Sequence, residues 1–291
     1  SVLTWTYQDP SKDQDTWLWL PSLKKVRKIS ASEDDDAFMG SDLTVEEVLL
    51  GSLDPILEDG LLVDVIRPIK SGKEAVVYLC RAGPSLSRDL VAAKIFRPHE
   101  RRNFRRDAIY QQGRARAGRP DAREMRALSR KTRGGRIRKF GAWIAHEMRT
   151  LEILHTAGAD VPEPILKHGS VIVMQYLGDA ENPAPILVHL PLAKEEVEAL
   201  YLQMLSNVEL FLRHHRVHAD LSAYNILYWE ERGIIIDFPQ AVDPRYNDDA
   251  FDLLVRDVRN LNEYFADRAV DVVDPIEHAL RLWRRHVDPH R

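Results

Sequence analysis

The chain has 291 residues, a formal net charge of −4, and 44% hydrophobic and 30% charged residues, the profile of a globular protein with one large domain or two lobes. No apolar run approaches the roughly 20 residues that span a bilayer, and no signal-peptide pattern opens the chain, so no membrane partner is expected. The single cysteine, Cys80, excludes an intramolecular disulfide and predicts a reducing, cytoplasmic setting.

Residues 1–41 read as an extension unlike the rest of the chain. "TWLWLPSLKKVRKI" predicts a short hairpin around a Pro-Ser turn, and "SASEDDDAFMGSD" an acidic linker. The run from "TYQDPSKDQD" to "FMGSD" resembles part of a bacterial outer-membrane lipoprotein-sorting family, and no chemistry is expected of it. Thr44 with Glu47 fits a capping box that opens a helix. Two strands, "LLVDVIRPI" and "EAVVYLC", are joined by "KSGK", and a third, "LVAAKIF", ends at Arg97.

Residues 97–139 then carry 16 Lys and Arg against 4 Asp and Glu, a net charge of +12. Such asymmetry fits a polyanionic partner or a solvated insert. The insert is expected to be partly helical. Its few aromatics, Phe104 and Tyr110, with Phe140 just beyond its end, suit phosphate contact more than base stacking.

"FGAWIAHEMRTLEILHTAG" predicts a helix stopped at Gly158, and "VIVMQYLG" a strand running into a connector. Val197, Leu200, Tyr201, Met204, Leu205, Val208 and Phe211 recur at helical spacing, so 193–215 is an amphipathic helix with a core stripe. "NILYW" and "GIIID" predict a small hairpin, with two further helices at about 248–265 and 275–287. The order predicts an α+β chain of two lobes: a sheet-rich lobe over 42–177, holding the basic insert, and a mainly helical lobe over 178–291. A cleft between two such lobes is where a ligand is expected.

The chemistry concentrates in "HADLSAYNIL" and "IIIDFPQAV". The predicted hairpin brings Asp220, Asn225 and Asp237 to one edge. A carboxylate beside a carboxamide is a hard-oxygen site suited to Mg²⁺ with phosphate co-ligands. The second carboxylate, Asp220, is left to orient a hydroxyl. That division matches phosphoryl transfer, with Asp220 catalytic and Asn225 and Asp237 on metal. Either Asp or Asn alone reads as a turn cap.

Lys94 is the candidate phosphate cation and Glu147 its ion-pair partner, with Ser71, Gly72 and Lys73 in the loop that covers phosphate. Backbone groups near Gln175 and Leu177 are candidates for adenine, with Met174 flanking it. His218 reads as a structural residue bonded to backbone. The other histidines lack metal-ligand spacing, and no zinc is assigned.

These motifs, with "SGKEAVVY", "AAKIFRP" and "HEMRTL", resemble the RIO kinases, in a bacterial form close to the first RIO subfamily, over roughly residues 50–291. The resemblance implies a two-lobed protein-kinase-like fold without activation segment or peptide-docking helices. It implies an ATP-dependent serine/threonine kinase using Mg²⁺, or Mn²⁺ in its place, that phosphorylates itself and a protein partner. It also implies that Asp237 can accept a phosphoryl group. The alternative is a nucleotide-gated ATPase that docks on ribosomal RNA or a pre-ribosomal particle through 97–139. A small-molecule phosphotransferase is disfavoured by the single-glycine loop and the Pro-Gln-Ala-Val run.

Three departures stand out. Pro239 replaces the glycine of the usual Asp-Phe-Gly, and its fixed φ disfavours a backbone flip there. Ser222 stands where serine/threonine kinases carry a phosphate-contacting lysine, and Ala223 where relatives often carry glutamate.

Overall fold

The computed structural model describes residues 2–5, 15–20, 25–29, 49–97 and 133–290, with side chains for 49–97 and 138–290. The Pro-Ser turn, the acidic linker, the Thr44–Glu47 capping box and the basic insert over 98–132 lie outside the described residues. Contacts divide the chain into two compact units: residues 1–97 with 168–173, and residues 98–167 with 174–291.

The first unit opens with an antiparallel three-stranded sheet, β1 (Val2–Trp5), β2 (Asp15–Leu20) and β3 (Lys25–Ile29), in that order. The predicted hairpin is β2–β3, and β1 adds a strand that the pattern does not announce. A short helix, α1 (Asp54–Glu58), with Pro55 in its first turn, leads to β4 (Leu62–Ser71), β5 (Ala75–Ala82) and β6 (Leu90–Phe96). These three are the predicted strands, paired antiparallel. The sheet has the order β4-β5-β6-β8-β7, with β7 at Pro164–His168 and β8 at Val171–Gln175. β7 escapes prediction because a five-residue strand starting at a proline gives little period-2 signal.

Leu53, Ile56, Leu79, Val91, Ile95 and Phe96 form the buried interior of this unit. Cys80 is fully buried, and burial pushes its thiol up to about 12.

In the second unit α2 (Arg133–Thr156) ends before Gly158, whose φ of +81° suits glycine at a helix stop. This helix falls in the second unit, and its Leu151 and Leu154 lie in the core it shares with the other helices there. Helix α3 (Lys194–Arg213) buries all seven residues of the predicted stripe. Helices α4 (Ala250–Ala266) and α5 (Pro275–His286) close the core with Leu254, Val258, Leu261, Phe265, Leu282 and Trp283. The hairpin β9 (Ile226–Trp229) and β10 (Arg232–Ile235) packs on α3. Among the described residues no helix is long and apolar enough to cross a membrane.

Candidate active site

The loop carrying Asp220 begins where α3 ends. The N–H of Arg216 returns to the Phe211 carbonyl at 2.8 Å, and Val217 then exchanges two 2.9 Å backbone bonds with Val242. Val217, Ala219 and Leu221 are buried, which leaves Asp220 as the exposed residue among them. Ala219 adopts φ +66°, a left-handed conformation costing a non-glycine residue about 1–2 kcal/mol.

Helix α4 holds that conformation. Asp257 accepts from Ala219 N at 2.7 Å and from Leu221 N at 3.0 Å. Arg256 donates to the Ala219 carbonyl, and Asn260 donates to the Leu221 carbonyl at 2.9 Å. The backbone on either side of Asp220 is therefore bonded to one helix. At about 1 kcal/mol net for each bond, the clamp outweighs the strain.

Sequence reasoning missed these three residues. The available signal was Asp257 on the apolar stripe of Leu254, Val258 and Leu261: a carboxylate at a core position must find donors. Burial raises its carboxyl to about 7, against the opposing pull of the Leu221 and Ala219 N–H groups and Arg256, while the charge of Asp220 adds to the rise.

Asn225 closes the short 3-10 turn Ala223–Asn225. Its Nδ2 donates to the Asp220 carbonyl at 2.9 Å, leaving Oδ1 as the acceptor a hard cation requires. Its own carbonyl accepts from Ile236 N at 2.9 Å, one residue before Asp237. Two consecutive bonds thus tie the Asp220, Asn225 and Asp237 segments together at the end of the hairpin.

His218 adds a third tie, a backbone bond of the kind expected for it. Its Nε2 meets the Ile236 carbonyl at 3.1 Å, and its Nδ1 accepts from Asp220 N at 3.3 Å. A carbonyl only accepts, so Nε2 carries the proton and the ring is neutral.

Asp237 itself has φ +72°. Phe238 behind it is fully buried, 5.6 Å from the Phe211 ring and 4.7 Å from the His218 ring. Pro239 is buried too, and its ring fixes φ one residue further on. Only residues 238–249 separate Asp237 from α4. In that stretch Ala241 O meets His146 Nε2 of α2 at 2.8 Å, and Asp243 pairs with Arg245 at 2.7 Å and with buried Arg216 at 3.7 Å.

Glu147, buried on α2, also belongs to this unit. So do half-buried Met174 and Gln175 on β8 and buried Leu177. Gln175 N donates to Glu163 O at 2.8 Å, and the Leu177 carbonyl accepts from Ala184 N at 2.9 Å. Those two backbone groups are thus already engaged. Gly178, with φ +141°, turns the connector so tightly that a Cβ would lie 2.5 Å from Asn182 O.

The remaining predicted residues lie in the first unit. Lys94 is half-buried on β6, opposite Val77, with Nζ 5.0 Å from the Phe96 ring centroid. Ser71, Gly72 and Lys73 are exposed where β4 turns into β5. Ser71 Oγ accepts from Arg97 at 3.1 Å, and Gly72 N donates to Ala75 O at 2.9 Å. A surface depression of about 510 Å³ on α5, lined by Glu277, Leu280, Arg281, Arg284 and Arg285, contains none of the predicted site residues.

Known proteins resemble the chain over these same residues. A family model described as RIO domain matches residues 76–277. A second, described only as an uncharacterized protein, matches residues 1–54; the likeness of 1–41 to a lipoprotein-sorting family finds no support among these matches. The human serine/threonine-protein kinase RIO1 is 31% identical over 264 residues, covering 86% of this chain and 43% of the human protein. The Caenorhabditis elegans RIO1 kinase is likewise 31% identical, over 84% of this chain and 46% of its own length, so the chain spans less than half of either relative. The RIO-type kinase Rio1 of the archaeon Haloferax volcanii is 28% identical over 82% of this chain and 76% of its own. A crystal structure of the Rio2 kinase–ADP/Mg²⁺–phosphoaspartate complex from Chaetomium thermophilum matches 80% of this chain and 66% of its own, with a TM-score of 0.53 at 21% identity. That likeness shows a protein-kinase-like fold, sheet-rich toward the N-terminus and helical toward the C-terminus. The family match over residues 76–277, together with the human relative, shows that this chain belongs to the RIO domain family.

Proposed function

We propose that the chain is an ATP- and Mg²⁺-dependent RIO-type serine/threonine kinase that phosphorylates itself and a protein partner. The observation that carries the reading is the α4 clamp, which bonds the backbone on both sides of Asp220 and leaves that carboxylate exposed. An exposed carboxylate on a rigid loop can take the proton of an acceptor hydroxyl while the γ-phosphoryl group passes to the oxygen and ADP departs. Lys94 would contact the nucleotide phosphates and pair with Glu147, with Ser71, Gly72 and Lys73 over them and Met174, Gln175 and Leu177 around the adenine.

One carboxylate and one amide oxygen, with no cluster of three His, Cys, Asp or Glu among the described residues, suit a cation that keeps water and phosphate ligands. Asn225 and Asp237 would hold Mg²⁺, or Mn²⁺ in its place, and the ion when bound supplies charge neutralisation at the phosphates. The proposed lobe division stays at residue 177, and the proposed setting is the cytoplasm.

A second reading is an ATPase switch in which Asp237 receives the phosphoryl group before water removes it. The phosphoaspartate in the Chaetomium Rio2 kinase favours it. In that role the basic segment 97–139 would bind ribosomal RNA or a pre-ribosomal particle, with affinity falling steeply as salt rises.

The deciding experiment tracks the γ-phosphate of labelled ATP in the chain and in its Asp220→Ala and Asp237→Ala forms. Label on serine or threonine, lost in both variants, supports the kinase. Label appearing only as free phosphate, or as a hydroxylamine-sensitive acyl phosphate on Asp237, overturns it in favour of the switch.

A further inference from the structure

We propose that Asp160 is a positioning residue for the reaction: together with Gln203 it anchors the outer edge of β10 and so sets where Asp237 stands. The inference rests on the reading of Asp237 as a metal ligand.

Asp160 lies in the turn between α2 and β7, with its side chain only 13% exposed. Every polar group it has is used. Its N–H donates to Asn207 Oδ1 at 2.8 Å, and its carbonyl accepts from Ile235 N at 2.8 Å. Its Oδ2 accepts from Gln203 Nε2 and Asn207 Nδ2, both at 2.7 Å. Its Oδ1 accepts from Arg232 Nε at 3.0 Å and Nη2 at 2.5 Å. Gln203 in turn grips the Gly233 backbone, accepting from its N–H at 3.0 Å and donating to its carbonyl at 3.2 Å.

The consequence lies in where these bonds fall. β10 has one strand neighbour, β9, and its other edge would otherwise present unpaired backbone groups. Asp160 and Gln203 occupy that edge at the Gly233 and Ile235 backbone, and Asp160 also holds the Arg232 side chain. The next residue, Ile236, is bonded on the opposite side to Asn225 O and His218, and Asp237 comes directly after it. The strand that delivers Asp237 is therefore held from both edges.

A carboxylate is required at 160, not merely a polar group. It faces donors at both oxygens: two amide NH₂ groups at one and a guanidinium at the other. An amide there would turn its own NH₂ toward a donor in either orientation.

The test uses the full chain with ADP and Mn²⁺ as the spectroscopic probe, at a temperature where each variant is folded. The variants are Asp160→Asn, Arg232→Ala and Asp237→Asn, with nucleotide affinity also measured in EDTA. D160N is expected to weaken Mn²⁺ binding about tenfold, the range seen when supports behind metal ligands are removed. R232A, at a side chain 60% exposed, is expected to weaken it less, about threefold, and D237N to abolish it. Nucleotide affinity in EDTA stays unchanged. A lower melting temperature with wild-type Mn²⁺ affinity in D160N and R232A makes Asp160 merely structural and overturns the inference. Should D160N not fold, wild-type affinity in R232A overturns it alone. If D237N also binds Mn²⁺ normally, the metal-site reading fails, and this inference with it.

Discussion

The carboxylate of Asp257 accepts the main-chain N–H of Ala219 at 2.7 Å, joining the middle of α4 to the residue before Asp220. Replacing Asp257 by Ala leaves two buried N–H groups without an acceptor. The expected cost is about 3 kcal/mol of stability and roughly a hundredfold in phosphoryl transfer, since the two amides flanking Asp220 then lose the acceptor they share. Denaturant unfolding and γ-phosphate transfer by the same preparation check both.

Two buried carboxylates respond to pH with opposite signs. Burial raises Asp257 to about 7, so the stability it contributes is full below the ordinary aspartate range and fades as pH rises through 7. For Asp243, burial alone would raise the carboxyl, but the hydrogen bonds from Arg245 and the charges of Arg245 and Arg216 outweigh it and hold it below its ordinary value. Its contribution is present above the ordinary value and is lost as pH falls through the depressed one. The stability gap between the wild type and D257N should therefore shrink from pH 4 to pH 7, an interval spanning its ordinary and shifted values. The gap for D243N should shrink only in acid. Unfolding curves across pH settle both; parallel pH profiles for the two variants would contradict the assignment.

Gly178 and Gly233 are both closely approached, by different neighbours. At Gly178 a Cβ meets Asn182 O at 2.5 Å and the Pro183 Cα at 2.7 Å, with φ +141° adding backbone strain. At Gly233 it meets the ends of Leu200 and Met204 at 2.7 and 2.8 Å. Side-chain ends can shift and backbone cannot. Gly233→Ala should cost about 1–2 kcal/mol and Gly178→Ala more, about 3 kcal/mol. Chemical denaturation of the two variants tests the ranking.

Cys80 is fully buried on β5, with its thiol pushed up to about 12. The native protein should resist a thiol reagent at neutral pH and react fully once unfolded. A rapid native reaction would place the side chain elsewhere.

Much of the candidate site is legible in the residues themselves. A two-strand hairpin between Asn225 and Asp237 leaves little choice but to bring Asp220, Asn225 and Asp237 to one edge, and the bonds from Asn225 to Asp220 and from Ile236 to Asn225 join those segments. The stripe from Val197 to Phe211 is readable from spacing alone, and it is buried throughout. By contrast Asp160 looks like an ordinary surface acid in the sequence, and Asp257, although it falls on the apolar stripe of α4, gives no sign there of which donors it meets. The contacts that group α2 with the helices, through Leu151 and Leu154, are equally invisible there.

The sequence alone determined most of the elements, though not β1 or β7, and the candidate side chains for the chemistry, because apolar periodicity, turn residues and motif spacing act over a few residues. Only the tertiary structure decided what holds them. Asp257 reaches Ala219 across 38 positions, and Arg232 reaches Asp160 across 72. Which carboxylate meets which donor at that range is set by how α2, α3 and α4 pack in their shared core, and no local pattern encodes it.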